Sequence, residues 1–253
     1  MATSRAVIVA HRMGDVLVLC YHAVSVDWPA ALSITPDLFE EHLELVLSRG
    51  YVGATFEEAL TEPPSKRTVA VTFDDAFRSV KELALPIMRR HGLPGSIYVP
   101  TDFPGRPGPM AWDGTDQWVG GPHEHELACL GWEELRELAD EGWEVGSHTR
   151  SHPRLPQLSD AELAEELEGS RAACEEGLGR PCRTLAYPYG DADERVKAAA
   201  ASAGYSMAAG LPDRRLGAKD PFDWPRLGVY HGDDRRRFRV KISPLVRRVR
   251  SGS

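Results

Sequence analysis

Short apolar runs alternate with segments of helical periodicity along most of this 253-residue chain, and that alternation restricts the fold more than any single residue does. Val16 to Tyr21 reads as a strand, and Pro36 to Arg49 as a helix that Thr35 caps, Pro36 opens and Gly50 ends. Thr68 to Phe73 and Ser96 to Val99 read as buried strands, separated by a helix from Ser79 to Arg90 that Gly92 closes. A strand at Trp143 to Gly146 precedes a long helix opened by the capping box Ser159-x-x-Glu162 and reaching about Leu178. A strand near Thr184 to Tyr187, an Ala-rich helix from about Ala192 to Ala203, a strand at Tyr205 to Ala208 and a last strand around Leu227 to Tyr230 complete the series. The expected class is α/β with mostly parallel strands. Seven or so such units without a glycine-rich phosphate loop favour a barrel over a dinucleotide-binding sheet, so chemistry is expected at the strands' C-terminal ends.

The segment Thr101 to Gly131 has no periodicity, is rich in Gly, Pro, Trp and Asp, and is too long for a plain connector. It is expected to be an inserted loop rimming the site of a single domain spanning residues 1–232. The composition, 42% hydrophobic and 27% charged, allows a sizeable core without covalent staples. Cys20, Cys129, Cys174 and Cys182 form no C-x-x-C pair, and the N-terminus lacks the layout of a secretory signal. No apolar run approaches the roughly 20 residues that cross a bilayer. These features read as a cytoplasmic protein with reduced thiols, at most peripheral to the inner membrane face.

Charge is distributed unevenly. Between Arg235 and Arg250 lie eight basic residues and no acidic one; without them the remaining 22 basic and 38 acidic residues leave a body of −16. An acidic body argues against nucleic acid as a partner. The basic tail, residues 233–253, is expected to dock on that body, or to contact anionic membrane or a partner protein.

Val71-Thr-Phe-Asp-Asp-Ala-Phe77 puts two carboxylates directly after an apolar strand. Strand side chains alternate faces, so Asp74 and Asp75 serve one cavity only if the pleat ends and the backbone turns there; a helix cap is the alternative role. Ser147-His148-Thr-Arg-Ser-His152-Pro153 also follows a strand, and its two imidazoles converge on one ion if the loop turns helically. With a carboxylate from another strand they make a two-His, one-Asp set with open positions. Zinc suits such ligands, and manganese, cobalt or nickel also accept them.

These motifs resemble those of the polysaccharide deacetylases, carbohydrate esterase family 4, over most of the chain. Thr72-Phe73-Asp74-Asp75 is similar to the family's first motif, Ser147-His148-x-x-x-His152-Pro153 to its second, and Thr184-Leu-Ala-Tyr-Pro-Tyr-Gly190 to its third. The resemblance implies a distorted (β/α)7 barrel and one divalent metal ion bound by Asp75, His148 and His152. It further implies Asp74 as general base, the Tyr189 backbone N–H as oxyanion donor, and a substrate groove walled by Tyr187 and Pro188, with Trp224 beside it. The third motif often carries an arginine that orients the base; this chain has Ala186 there, and Arg226 is the candidate replacement. In the permuted subgroup resembling poly-N-acetylglucosamine deacetylases, a Tyr-His pair after the first strand supplies the general acid. Tyr21-His22 fits that position, which makes His22 the candidate acid and His231 the runner-up. The implied reaction is removal of an N-acetyl group from an amino sugar of a polysaccharide, glycolipid or precursor. O-deacetylation of a carbohydrate and non-catalytic carbohydrate binding are the alternatives.

Overall fold

The structure, a computed structural model, describes residues 14–211 and 220–251. Residues 1–13 and 252–253 of the expected domain and tail, and the side chains of Arg248 and Arg250, lie outside the described residues. The strands are β1 (Asp15–Tyr21), the short parallel pair β2 (Ala23–Val24) and β3 (Ser33–Ile34), β4 (Val52–Ala54), β5 (Arg67–Phe73), β6 (Gly95–Val99), β7 (Glu144–Ser147), β8 (Thr184–Ala186), β9 (Met207–Gly210), β10 (Trp224–Pro225) and β11 (Leu227–Gly228). β1 pairs β5, and the sheet continues through β6, β7, β8 and β9 to β10, all in parallel. β11 follows β10 after Arg226 and pairs β1, so the two pieces act as one interrupted strand that closes a seven-stranded ring. β4 pairs with the first half of β5, outside that path. This is the distorted (β/α)7 barrel that the sequence resemblance implies.

The helices are α1 (Pro36–Ser48), α2 (Phe56–Thr61), α3 (Leu85–Arg90), α4 (Trp132–Asp140), α5 (Asp160–Leu178), α6 (Glu194–Ser202), α7 (Arg235–Lys241) and α8 (Pro244–Ser251). α1 forms where expected: Thr35 accepts from the Leu38 N–H, Pro36 sits in the first turn, and Phe39, His42, Leu43 and Val46 recur at helical spacing on the buried face. In α5 the Ser159–Glu162 capping box starts the helix, and Gly179, at φ 68°, ends it in the left-handed conformation that costs glycine little.

Core packing divides in two. One cluster fills the space between barrel and helices; the other, including Val18, Ala70, Tyr98, Ala186, Ala209 and Trp224, brings side chains of successive strands together. The basic segment is helical and joined to the body: Phe238 and Ile242 are fully buried, Phe238 stacks on His42 at 3.8 Å, Lys241 pairs with Asp233, and Arg247 pairs with Asp15.

Several boundaries differ from the sequence reading. The helix expected at Ser79 to Arg90 starts with a π-turn over Val80–Ala84 before α3. The strand expected at Tyr205 to Ala208 lies at Met207–Gly210. The last strand begins at Trp224 rather than Leu227, because Pro225 and the absence of alternation hide it. β4, α2 and α4 are not among the elements expected from the sequence, although α4 buries Leu135, Leu138 and Ala139 at helical spacing and α2 opens with a Thr55–Glu58 capping box.

Candidate metal and catalytic site

Parallel strands deliver their C-terminal residues to one end of the barrel, and the motifs meet there. His22 follows β1, Asp74 and Asp75 follow β5, His148 follows β7 and Tyr189 follows β8. Together they line a cavity of about 450 Å³, with Trp112, Asp113 and Thr115 of the long loop on its rim.

The backbone answers how two adjacent aspartates reach one site. Asp75 has φ 69° and Ala76 φ 51°, so the pleat breaks directly after Asp74. Thr149 (66°), His152 (64°) and Tyr189 (60°) are the other non-glycine residues at positive φ among the described residues. All five lie in the site loops. Left-handed backbone at such residues costs of order 1–3 kcal/mol each and persists where surrounding contacts overdetermine it. Thus the two imidazoles converge not through a helical turn but through a loop with two left-handed residues, Thr149 and His152. Glu166 of α5 fastens this loop, accepting from the Arg150 N–H (2.8 Å), the Ser151 N–H (3.0 Å) and the Ser151 hydroxyl (2.6 Å).

Asp75 Oδ1 lies 3.4 Å from Nε2 of both His148 and His152, and the three side chains are almost wholly buried. His148 Nδ1 lies 2.8 Å from the Ala186 carbonyl. Donation there fixes the tautomer with the Nε2 lone pair facing Asp75. Among the described residues Asp75 Oδ1 has no hydrogen-bond donor, although it is buried. A buried carboxylate oxygen without a donor, facing two imidazole nitrogens, fits a divalent cation. His152 is held between the Trp112 ring, stacked at 4.1 Å, and the Tyr189 ring at 4.7 Å. Arg154 lies over the Tyr189 ring, 4.0 Å from its centroid, and pairs with Asp113 at 3.3 Å.

Asp74 turns to different partners. Arg226 reaches it from the interruption between β10 and β11, with Nη1 donating to Oδ1 at 2.6 Å and Nη2 to Oδ2 at 2.7 Å. The same guanidinium donates to Thr72 Oγ1 and to the Gly210 carbonyl, and its side chain has no exposure. Burial alone would raise the Asp74 carboxyl, but Arg226, with His148 and His22, outweighs it and holds the group well below the usual carboxylate range. The Cys20 thiol, fully buried, lies 3.4 Å from Asp74 Oδ2, a contact that sequence reasoning missed although Cys20 adjoins Tyr21-His22.

His22 is buried at the cavity, and among the described residues its Nδ1 has no hydrogen-bond partner. Burial lowers its basicity while Asp75 and Asp74 oppose the shift. His231 lies outside the cavity lining and is exposed; its neighbour Tyr230 lines the cavity instead. The expected substrate wall is likewise displaced. Tyr187 is buried and donates to the Phe222 carbonyl at 2.8 Å, Pro188 is buried, and Trp224 packs with Val18, Ala70, Tyr98 and Ala186. None of these three lines the cavity, because each points into packed protein behind the strand ends; Trp112, Tyr189 and Tyr230 supply its aromatic surface.

Comparison with known proteins places this constellation. Residues 61–208 match the family description "Polysaccharide deacetylase". A Bacillus subtilis protein named as a polysaccharide deacetylase, YxkH, is 26% identical over 75% of this chain and 62% of its own length. A poly-beta-1,6-N-acetyl-D-glucosamine N-deacetylase of Staphylococcus aureus is 25% identical over 62% of this chain and 54% of its own length. The chain thus spans less than two thirds of these curated relatives. Among solved structures, the Streptococcus pyogenes deacetylase PplD in complex with acetate superposes with a TM-score of 0.73 at 23% identity, covering 90% of this chain and 98% of that one. IcaB from Ammonifex degensii superposes with a TM-score of 0.71 at 24% identity, covering 90% and 97%. Fold and sequence agree: the chain belongs to the polysaccharide deacetylase family.

Proposed function

We propose that this chain hydrolyses the N-acetyl group of an amino sugar carried in a polysaccharide, glycolipid or precursor. The observation that carries the reading is the convergence of Asp75, His148 and His152 beside an arginine-held Asp74 at the base of one cavity.

Asp75, His148 and His152 would hold a divalent ion, and zinc is the metal we assign to two imidazoles and one carboxylate. Bound there, such an ion supplies Lewis acidity, making water more acidic and polarising an acyl oxygen. Asp74 is the general base. Arg226 occupies one direction at each carboxylate oxygen and leaves others to accept a proton from water, a role typically worth about 10²- to 10⁴-fold. Its fork also fixes the carboxylate plane, so the accepting oxygen is placed before substrate arrives. As negative charge develops on the acetyl oxygen, the Tyr189 backbone N–H would donate to it, a role supported by the position of Tyr189 on the cavity lining. An amine leaves only when protonated. His22 delivers that proton from beside Asp74, where burial disfavours its imidazolium form and the charges of Asp75 and Asp74 partly restore it.

Free-amine release from N-acetylglucosamine oligomers, measured beside acetate release from acetylated xylan, tests the assignment. Amine release that is lost on chelation and returns with zinc supports it. Acetate release from xylan alone would make the chain an O-deacetylase, and activity on neither would leave carbohydrate binding without catalysis.

A further inference from the structure

The end of the barrel away from the cavity carries a second set of features. Asp15 and Arg67 begin β1 and β5, and Tyr51 precedes β4, so they lie at the strands' N-terminal ends, roughly 20 Å along the strands from the site. A cavity of about 230 Å³ opens there between Arg49, Tyr51, Arg67, Ser243 and Pro244. Arg67 donates to the Arg49 carbonyl and Arg49 to the Arg239 carbonyl; among the described residues neither guanidinium meets a carboxylate within ion-pair distance. α7 and α8 border this cavity. With Phe238 and Ile242 buried against the body, α7 turns Arg235, Arg236, Arg239 and Val240 outward, and Leu245 of α8 is 73% exposed. Among the described residues, Arg235, Arg236 and Arg239 likewise have no carboxylate within ion-pair distance. The surface therefore combines exposed arginines, exposed aliphatic side chains and a recess bordered by two arginines on a molecule whose remaining body is acidic, with Asp234 beside Arg236 and Asp15 beside Arg67 as the acidic groups that face it.

We infer that this end of the barrel docks on an anionic phospholipid surface. The arginines of α7 face the headgroups, Val240 and Leu245 enter the interface, and the recess between Arg49 and Arg67 takes one headgroup phosphate. Charge and apolarity together select this occupant: a neutral bilayer offers the arginines nothing, and the exposed Val240 and Leu245 beside them suit a lipid interface and not the charged surface of an acidic second copy. Docking by this end turns the catalytic cavity away from the bilayer, so the substrate arrives from the aqueous side and not from the membrane that holds the protein.

Co-sedimentation of the full chain with phosphatidylglycerol vesicles, against phosphatidylcholine vesicles, reads this directly and does not depend on the proposed reaction. Binding to the anionic vesicles alone, weakened by salt, is expected. The double variant Arg236→Glu/Arg239→Glu should reduce the partition coefficient by about a hundredfold or more. Leu245→Glu should reduce it by about tenfold or more. Both variants change exposed side chains, and unchanged thermal unfolding verifies that they are folded. Equal binding to both vesicle types, no binding to either, or full binding by the double variant would overturn the inference. So would binding of inorganic phosphate in the recess, seen by titration, without vesicle binding, which would assign the recess to a free anion.

Discussion

Arg226 grips both carboxylate oxygens of Asp74, at 2.6 and 2.7 Å, from a position 152 residues further along the chain. The pair joins the last barrel strand to the second strand of the ring and fixes the group proposed as base. Its geometry explains how Asp74 is held although Ala186 stands where the family's third motif often carries an arginine: the guanidinium enters from the interruption between β10 and β11, with β9 lying between β10 and the β8 strand of Ala186.

Removing one partner of a buried pair leaves the other charged and unsatisfied. Arg226→Ala should cost about 3–5 kcal/mol in denaturant unfolding and abolish turnover. Arg226→Lys keeps the charge but loses the two-pronged geometry, so it should fold and turn over far more slowly. A wild-type unfolding curve for Arg226→Ala would show that the pair does not hold this part of the barrel.

The two candidate acids occupy different places. His22 lines the cavity and His231 is exposed outside it, so His22→Ala should lower kcat by about 10²- to 10⁴-fold while His231→Ala leaves it near wild type. Steady-state kinetics on an N-acetylglucosamine oligomer separates them. The reverse pattern would move the acid to His231.

Glu166 never touches the cavity, yet three hydrogen bonds tie it to the loop that carries His148 and His152. Outer partners of metal ligands typically matter at about 10- to 100-fold in affinity. Glu166→Ala should weaken metal binding by such a factor, read by competition with a chromogenic chelator. An unchanged dissociation constant would mean that the left-handed backbone holds the loop by itself.

His42 gives a pH dependence remote from the site. Burial against Phe238 lowers it to about 4, from an unfolded value of about 6.5. The neutral form is favoured in the folded state, so the unfolded chain binds the extra proton first. Its contribution is present above about pH 6.5 and is lost as pH falls towards 4. Replacement by phenylalanine should flatten stability over that window by about 1–3 kcal/mol, measured as urea midpoints at several pH values. An equally steep profile in His42→Phe would assign the dependence to other groups.

How much of this could be read from the sequence follows from the kind of signal each part leaves. Thr35-Pro36 and Ser159-x-x-Glu162 mark helix starts through local chemistry, and the structure has helices there. The Asp74-Asp75 and His148-x-x-x-His152 motifs directly follow apolar runs, so their arrival at one barrel end follows from parallel strands alone. The left-handed residues Asp75, Ala76, Thr149, His152 and Tyr189 could not be seen, because backbone conformation of this kind is imposed by surrounding contacts against residue preference. Trp224 illustrates the opposite limit. An aromatic near a motif suits a sugar or a core equally well, and only the closure of the ring by β10 and β11 decides for the core. The basic segment reads as a charged tail until Phe238 and Ile242, four positions apart, are seen buried on one helix face.

The central claim is that Asp75, His148 and His152 bind the metal while Asp74, beside them, does chemistry without binding it. Divalent-metal stoichiometry by elemental analysis after chelation and zinc reconstitution, measured on wild type, Asp74→Asn and His148→Ala together with amine release, tests that division most directly. The account predicts one ion per chain in wild type and in Asp74→Asn, turnover only in wild type, and neither ion nor turnover in His148→Ala. Wild-type turnover by Asp74→Asn, or a full complement of metal in His148→Ala, would contradict it.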